Sequence, residues 1–203
     1  KGRQIHILPT YRADTKIQCS EWLGCNINKV SDYVSLELIK AVIAMREVKS
    51  ELEIAEMERA ANTAYYMHTT AMKMCKPGMI EQEIDGVVEG LSLSGGGPVS
   101  FPVILSVDGQ TLHNHGHHNV LKEGRMMVCD AGAETENYYA SDFTRTTPVG
   151  GKFNQRQREI YEIVLKANQV VAEVTRPGIP YVEMHALACR TLIEGLKGVG
   201  LMK

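Results

Sequence analysis

The chain has 203 residues, 44% of them hydrophobic, which is typical of one packed domain with or without an extension. Its 22 Lys and Arg residues nearly balance 24 Asp and Glu residues, so the formal net charge is only -2. A nucleic-acid-binding protein would carry a basic patch, and a membrane protein would carry an apolar run of roughly 20 residues. The sequence has neither feature, so we expect no nucleic-acid partner and no membrane span.

Five cysteines are scattered along the chain and form no CxxC pair. Their odd number and their spacing predict neither a disulfide framework nor a structural zinc site. The default expectation is therefore a protein of the reducing cytoplasm. The chain starts at Lys1 and stops at Lys203 without a closing motif, so we expect a fragment of a longer protein.

The first part of the chain shows little regular periodicity. From residue 5 to residue 26 apolar and polar residues mix, and only over 34–48 do Leu38, Val42 and Met45 fall on one face of a predicted helix. We interpret residues 1–45 as the tail of a preceding domain and a connector.

Two long amphipathic helices are predicted over 51–74 and 155–175, each ended by a Pro-Gly pair. Their apolar patterns coincide at an offset of 100 residues, which pairs Met67 with Ala167 and Pro77 with Pro177. A further helix is predicted after each Pro-Gly pair. These matches favour an internal duplication. The alternative is that any two amphipathic helices ending in Pro-Gly align in this way.

Strands are predicted between the helices, over 99–107, 125–130 and 138–149, where Val, Phe, Tyr and Thr are frequent. The predicted class is therefore α+β. The glycine-rich run at 94–98 lacks the GK[ST] ending of a phosphate-binding loop, so we interpret it as a turn.

Two aspartates follow each other closely in the predicted strands. If the strands form a hairpin whose turn centres on Glu136, Asp130 stands opposite Asp142, with Cβ atoms roughly 5 Å apart. Two ionised carboxylates at that distance repel unless they share a proton or hold a cation. A divalent metal is the simpler answer. The alternative is that one aspartate caps a turn while the other faces water.

A histidine cluster precedes this pair, with His113, His115, His117 and His118 within six residues. His113 directly follows the apolar Leu112, so we expect it to point into a structured site. The other three fit a polar loop without function. His68 and His185 lie in predicted helices and are expected to be packed or solvated.

Several of these segments resemble one peptidase family. They are Leu112-His113-Asn114, LKEGRMMVCDAGAE at 121–134, SDFTRT at 141–146 with the PVGGKF that follows, and the Pro-Gly segment at 176–178. They are similar to the family of aminopeptidase P, prolidase and methionine aminopeptidase, and closest to the first two. The resemblance runs from about Arg46 to the end. It implies an incomplete pita-bread catalytic domain over 46–203, with pseudo-twofold duplication and its C-terminal part missing from this chain.

The resemblance implies a hydrolase with two divalent metal ions, manganese first and cobalt or zinc as alternatives. Asp130 would chelate one ion, Asp142 would bridge both, and His113 would hydrogen-bond the reacting carbonyl or shuttle a proton. The remaining ligands, one histidine and two glutamates, would lie beyond Lys203, so this chain is expected to be inactive or nearly so by itself. The substrate would be a proline-containing peptide, and the full-length enzyme a homodimer.

Three other functions remain open from the sequence. Within the same fold, the substrate could be an Xaa-Pro dipeptide or an N-terminal methionine. A catalytically inactive pita-bread domain could bind peptides or proteins, although such a module has no physical need for two aspartates in apolar strands. A protease with a carboxylate dyad is disfavoured, because neither aspartate lies in an Asp-Thr-Gly or Asp-Ser-Gly sequence.

Overall fold

The computed structural model describes residues 3–203, which divide into two units, one ending at Ala55 and the other Glu56–Lys203. The first unit contains helix α1 (Ala13–Leu23), a 3-10 helix (Ile27–Tyr33) and helix α2 (Leu36–Glu47). Ser35 caps α2, since its Oγ accepts a hydrogen bond from the Leu38 N–H at 3.2 Å. The sequence did not predict α1, because its apolar residues follow no helical period.

Four longer helices follow. Helix α3 (Glu51–Met74) crosses the boundary between the units, and the second unit adds α4 (Glu81–Ser94), α5 (Gln155–Val174) and α6 (Tyr181–Gly198). The bounds predicted for α3 and α5 agree with the structure to within one residue. No helix within residues 3–203 is long and apolar enough to cross a membrane.

The two helix pairs of the second unit repeat each other in backbone geometry as well as in sequence. Gly78 and Gly178 leave the first helix of each pair with φ angles of 92° and 90°. The residues before the second helix, Ile80 and Pro180, have ψ angles of 139° and 140°. The offset of 100 residues therefore holds at the turns, where backbone conformation is most specific.

Three antiparallel strands form one sheet in the order β1 (Ile104–Ser106), β2 (Met126–Ala131) and β3 (Phe143–Pro148). Burial alternates along β2: Met127, Cys129 and Ala131 are buried, and the residues between them are half-buried. The buried side joins the core of the unit. That core includes residues of α3 and α4: Ala64, Met67, Ala71, Ile84 and Val88.

Glu81 ties the start of α4 to the loops beside the sheet. Its side chain is fully buried and accepts hydrogen bonds from the Val107 N–H at 2.7 Å and from Asn119 Nδ2 at 3.1 Å. A buried carboxylate without such partners would destabilise the fold. These bonds therefore allow an acidic residue at this position and hold the loop before β2.

The hairpin register predicted from the sequence is wrong by two residues. In the structure Asp130 faces Thr144, and the same register continues to the bridge between Glu134 and Ala140. The loop is 136–138, where Tyr138 adopts a left-handed φ of 66° and donates its N–H to the Thr135 carbonyl at 2.9 Å. A three-residue loop of this kind usually has glycine at its left-handed position. Since no glycine marks this loop, the sequence did not indicate where the chain reverses.

Candidate metal and catalytic site

Asp130 is the best-placed candidate ligand. It is half-buried on β2, and its Oδ1 is buried without a hydrogen-bond partner among the described residues. A buried carboxylate oxygen is normally hydrogen-bonded or bound to a cation. The unpartnered Oδ1 therefore fits a site where a cation binds.

Asp142 lies just before β3 and is exposed. The observed register places it two residues from Thr144, the partner of Asp130, so the two carboxylates stand diagonally on the same side of the hairpin. Diagonal neighbours have Cα atoms roughly 7–8 Å apart. The aspartates are therefore not directly opposed, but they still share a face at a separation that metal ions can span.

The backbone next to Asp142 is held tightly. Ser141 is buried, and its Oγ lies 3.0 Å from the Ala60 carbonyl of α3. Ser100 Oγ donates to the Ser141 carbonyl at 2.7 Å. A Cβ at Gly132 would overlap that same carbonyl oxygen, so only glycine allows this approach of the two strands. The sequence analysis did not identify Ser141 or Gly132.

The tip of the hairpin is linked to α3 by an ion pair. Arg59 Nη2 lies 2.8 Å from Glu136 Oε1, and Arg59 Nη1 lies 2.8 Å from Glu56 Oε1. The hydrogen bond from Arg59 lowers the pKa of Glu136. Because Arg59 and Glu136 are each about half exposed, their ion pair contributes little to stability. Its contribution is to fix the direction of the loop.

His68 of α3 contacts the hairpin from the core side. It is 5% exposed, and its Nε2 lies 3.0 Å from the Ala131 carbonyl. Its ring stands edge-on to Phe143, with centroids 6.5 Å apart and planes at 88°. The expectation that His68 is packed is therefore correct, and the packing is against the two residues that follow Asp130 and Asp142 in the chain.

Two of the four clustered histidines, His113 and His117, differ from the expectation. His113 is exposed and makes no hydrogen bond or ion pair within the described part of the chain. The following residue, Asn114, is anchored through its Nδ2 to Ser106 Oγ at 3.2 Å. His117, expected to be a functionless loop residue, is the half-buried one. The catalytic role of His113 stays a prediction.

His117 anchors the histidine loop to α4 and β1. Its Nδ1 lies 3.0 Å from the Leu105 carbonyl, and its Nε2 lies 3.6 Å from Asp85 Oδ2. Since a carbonyl only accepts, Nδ1 carries a proton, and Nε2 needs a second proton to bind an ionised Asp85. Burial raises the pKa of Asp85, opposed by the nearby His117. The contact therefore links the histidine loop to α4.

The described residues do not by themselves form a cluster of metal ligands. Within 3–203, no three His, Cys, Asp or Glu side chains converge so that they could hold a metal ion. Asp130 and Asp142 have the oxygen donors that suit manganese, and one of them has an unsatisfied buried oxygen. The residues present thus fit a metal-binding role, with further ligands needed for tight binding.

Comparison with known proteins identifies relatives of the chain. A model of metallopeptidase family M24 matches residues 55–201. A probable Xaa-Pro aminopeptidase of Chaetomium globosum is 30% identical over 100% of this chain and 33% of its own length. The Xaa-Pro aminopeptidase of Escherichia coli K12 is 34% identical over 89% of this chain and 41% of its own length.

Among solved structures, the chain is also similar to aminopeptidases. Aminopeptidase P of E. coli, determined in complex with substrate, superposes with a TM-score of 0.75 at 36% sequence identity, covering 78% of this chain and 37% of that protein. A zinc-substituted form of the same enzyme, bound to product, matches equally well. These matches confirm the α+β pita-bread fold. The chain spans between a third and a half of the length of these relatives.

Proposed function

The chain belongs to metallopeptidase family M24, and from this premise we propose that its complete gene product is a metal-dependent aminopeptidase that hydrolyses the bond before proline. It would release the first residue of Xaa-Pro peptides. The observation that carries the proposal is the buried, unpartnered Oδ1 of Asp130 on the same face as Asp142. The relatives named Xaa-Pro aminopeptidases support the substrate class.

The family resemblance implies a role for each candidate residue. Half-buried Asp130 would chelate one metal ion, and Asp142, exposed beside it, would bridge two. The bound ions, manganese first and cobalt or zinc as alternatives, would lower the pKa of a coordinated water and polarise the peptide carbonyl. His113 is exposed and unbonded, so its imidazole is available to hydrogen-bond the substrate carbonyl or to carry a proton.

By itself, this chain would supply only some of the metal ligands. Residues 46–203 would form the first part of the catalytic domain, and the remaining ligands would come from other residues of the gene product. Two aspartates alone bind a divalent ion weakly, so the 203-residue chain would be inactive or nearly so. The homodimer and the cytoplasmic location expected from the sequence stay predictions.

The test is an assay of the complete gene product on an Xaa-Pro-Xaa peptide, with and without added Mn²⁺. Asp142→Asn removes a ligand charge while keeping side-chain size, so kcat/KM should fall at least about 100-fold, more than the loss of an outer-shell partner of a metal site. Glu123→Gln is the matched control, because Glu123 is an exposed carboxylate of the same unit outside the hairpin. It should keep wild-type activity.

The outcomes separate the two functional classes. Mn²⁺-dependent release of the first residue, lost in Asp142→Asn and kept in Glu123→Gln, supports the aminopeptidase. If the metal-loaded wild-type protein releases nothing, the enzyme proposal fails. Binding of an unhydrolysed proline-containing peptide in that experiment would instead favour the inactive pita-bread module.

A further inference from the structure

We propose that His68 is a positioning residue of this site, one that sets the separation of Asp130 and Asp142 from the core side of the hairpin. The proposal rests on the proposed function. Among the described residues, His68 makes no hydrogen bond to either aspartate. It contacts the residues that directly follow them, the Ala131 carbonyl and the Phe143 ring.

These two partners face each other across the hairpin. Ala131 and Phe143 are a register pair, and they form the last pair of the β2–β3 ladder on the side of the aspartates. A displacement of either residue would move the neighbouring aspartate by a comparable amount, since adjacent residues share a peptide plane. One side chain on α3 therefore contacts both strands at the level where the two carboxylates leave the backbone.

His68 links the Ala131 carbonyl to α3. Ala131 already pairs with Phe143 of β3, and its carbonyl oxygen has two lone pairs, so it can accept a second hydrogen bond from α3. His68 lies 3.0 Å from this oxygen and can only donate to it, so Nε2 carries the proton. Without this donor, the carbonyl next to Asp130 would lose its hydrogen bond to α3 and keep only its place in the strand ladder.

Packing alone does not account for a histidine at this position. Its neighbours on the buried face of α3, Ala64, Met67 and Ala71, are apolar and fully buried. His68 Nδ1 is buried and has no hydrogen-bond partner among the described residues. A buried acceptor without a partner destabilises the fold relative to an apolar side chain of similar size. The hydrogen bond from Nε2 to the Ala131 carbonyl offsets this loss of stability, and it acts on the strand that carries Asp130.

The experiment compares three variants of the complete gene product. His68→Leu removes the donor while filling the space, and His68→Gln restores an N–H at a similar reach. Met67→Ala is the control for loss of core stability, because Met67 is the fully buried neighbour on the same helix. For each, we would measure kcat and KM on an Xaa-Pro-Xaa peptide, Mn²⁺ affinity by calorimetry, and the paramagnetic resonance spectrum of bound Mn²⁺.

We expect His68→Leu to lower kcat and Mn²⁺ affinity by about 10- to 100-fold, the effect of losing an outer-shell partner of a metal site. KM should change less than kcat, and the Mn²⁺ spectrum should change. His68→Gln should recover most of the activity, and Met67→Ala should keep kcat within about twofold when assayed well below its unfolding temperature.

Two results would overturn the positioning role. One is that His68→Leu keeps wild-type kcat and Mn²⁺ affinity. The other is that Met67→Ala loses both to the same degree, since the effect would then be one of general stability. If the wild-type protein hydrolyses no Xaa-Pro peptide, the proposed function fails separately, and Mn²⁺ affinity and spectrum alone decide the role of His68.

Discussion

Cys75 shows how burial changes the chemistry of a single residue. It directly follows helix α3 and lies in the core of the second unit, 3% exposed, with its Sγ 3.8 Å from the Thr147 carbonyl. Burial raises the pKa of its thiol to about 11. In the unfolded chain a cysteine ionises at about pH 8.5. The folded protein therefore keeps a proton that the unfolded chain loses over this interval.

This difference predicts an alkaline loss of stability. The contribution of buried Cys75 is fully present below about pH 8.5 and is lost as the pH rises towards about 11, because ionisation favours the unfolded state. Cys75→Ala should be less stable than wild type at pH 7.5, by about 1 kcal/mol. This deficit should shrink by up to about 1.4 kcal/mol per pH unit above 8.5.

Urea unfolding of the chain at pH 7.5, 9 and 10 measures this change. Val88→Ala is the control, since Val88 is buried in the same core and does not titrate. Its deficit should stay constant with pH. A Cys75→Ala deficit that is equally constant would mean that the thiol ionises in the folded state as easily as in the unfolded chain.

At the scale of the elements, the β2–β3 hairpin is the part on which the candidate site depends. Gly132 lies two residues after Asp130, and a Cβ there would overlap the Ser141 carbonyl directly before Asp142. The neighbouring Ser100 Oγ bonds that same oxygen. Moving the two backbones apart to make room for a side chain at Gly132 would therefore disturb this hydrogen bond.

Gly132→Ala should therefore destabilise the protein by about 3 kcal/mol or more, the range of overpacking and hydrogen-bond loss combined. It should also abolish Mn²⁺-dependent activity. Gly86→Ala is the matched control: Gly86 lies in α4, where an added Cβ meets nothing within 4 Å. There alanine should raise stability by about 0.5–1 kcal/mol. Chemical unfolding checks both, and a Gly132→Ala protein of wild-type stability and activity would contradict this account of the hairpin.

The elements also show what sequence can and cannot predict here. The bounds of α3 and α5 were predictable because their apolar residues keep a helical period up to a Pro-Gly stop. The hairpin register was not, because the left-handed position is filled by Tyr138 rather than glycine. Many residues contribute to the periodic pattern that predicts a helix, whereas only one or two residues identify a turn. The prediction that Asp130 and Asp142 share a face still holds despite the wrong register, since a shift of two residues leaves each side chain on the same face of its strand.

For the whole molecule, the two helix pairs related by the 100-residue offset differ in their surroundings. In the first helix pair Ala64 is fully buried against the sheet, whereas its equivalent Val164 in the second pair is 55% exposed. The sheet seen in the described residues packs with the first pair, with Asp130 on β2 and Asp142 directly before β3. Sequence comparison could establish the family and the duplication, because both are spread over the chain. It could not place His68 or Ser141, whose roles depend on contacts distant in sequence.

Metal affinity is the property of the whole molecule that tests whether this chain holds a complete site. Asp130 and Asp142 provide carboxylate oxygens on one face, and no third side chain of the described residues joins them. A site with so few protein ligands should bind Mn²⁺ with a Kd of about 1 mM or weaker. In the complete gene product, further ligands should make binding much tighter.

Calorimetric titration of the 203-residue chain and of the complete gene product with Mn²⁺ measures this difference. Asp130→Asn should abolish the weak binding by the chain, and Glu123→Gln should leave it unchanged. Micromolar binding by the chain, lost in Asp130→Asn, would mean that its own residues assemble a nearly complete site. Tight binding unaffected by Asp130→Asn would place the metal elsewhere. Weak binding by the chain and tight binding by the gene product, both dependent on Asp130, is the result expected if one half of a duplicated fold supplies the first ligands and the other half completes the site.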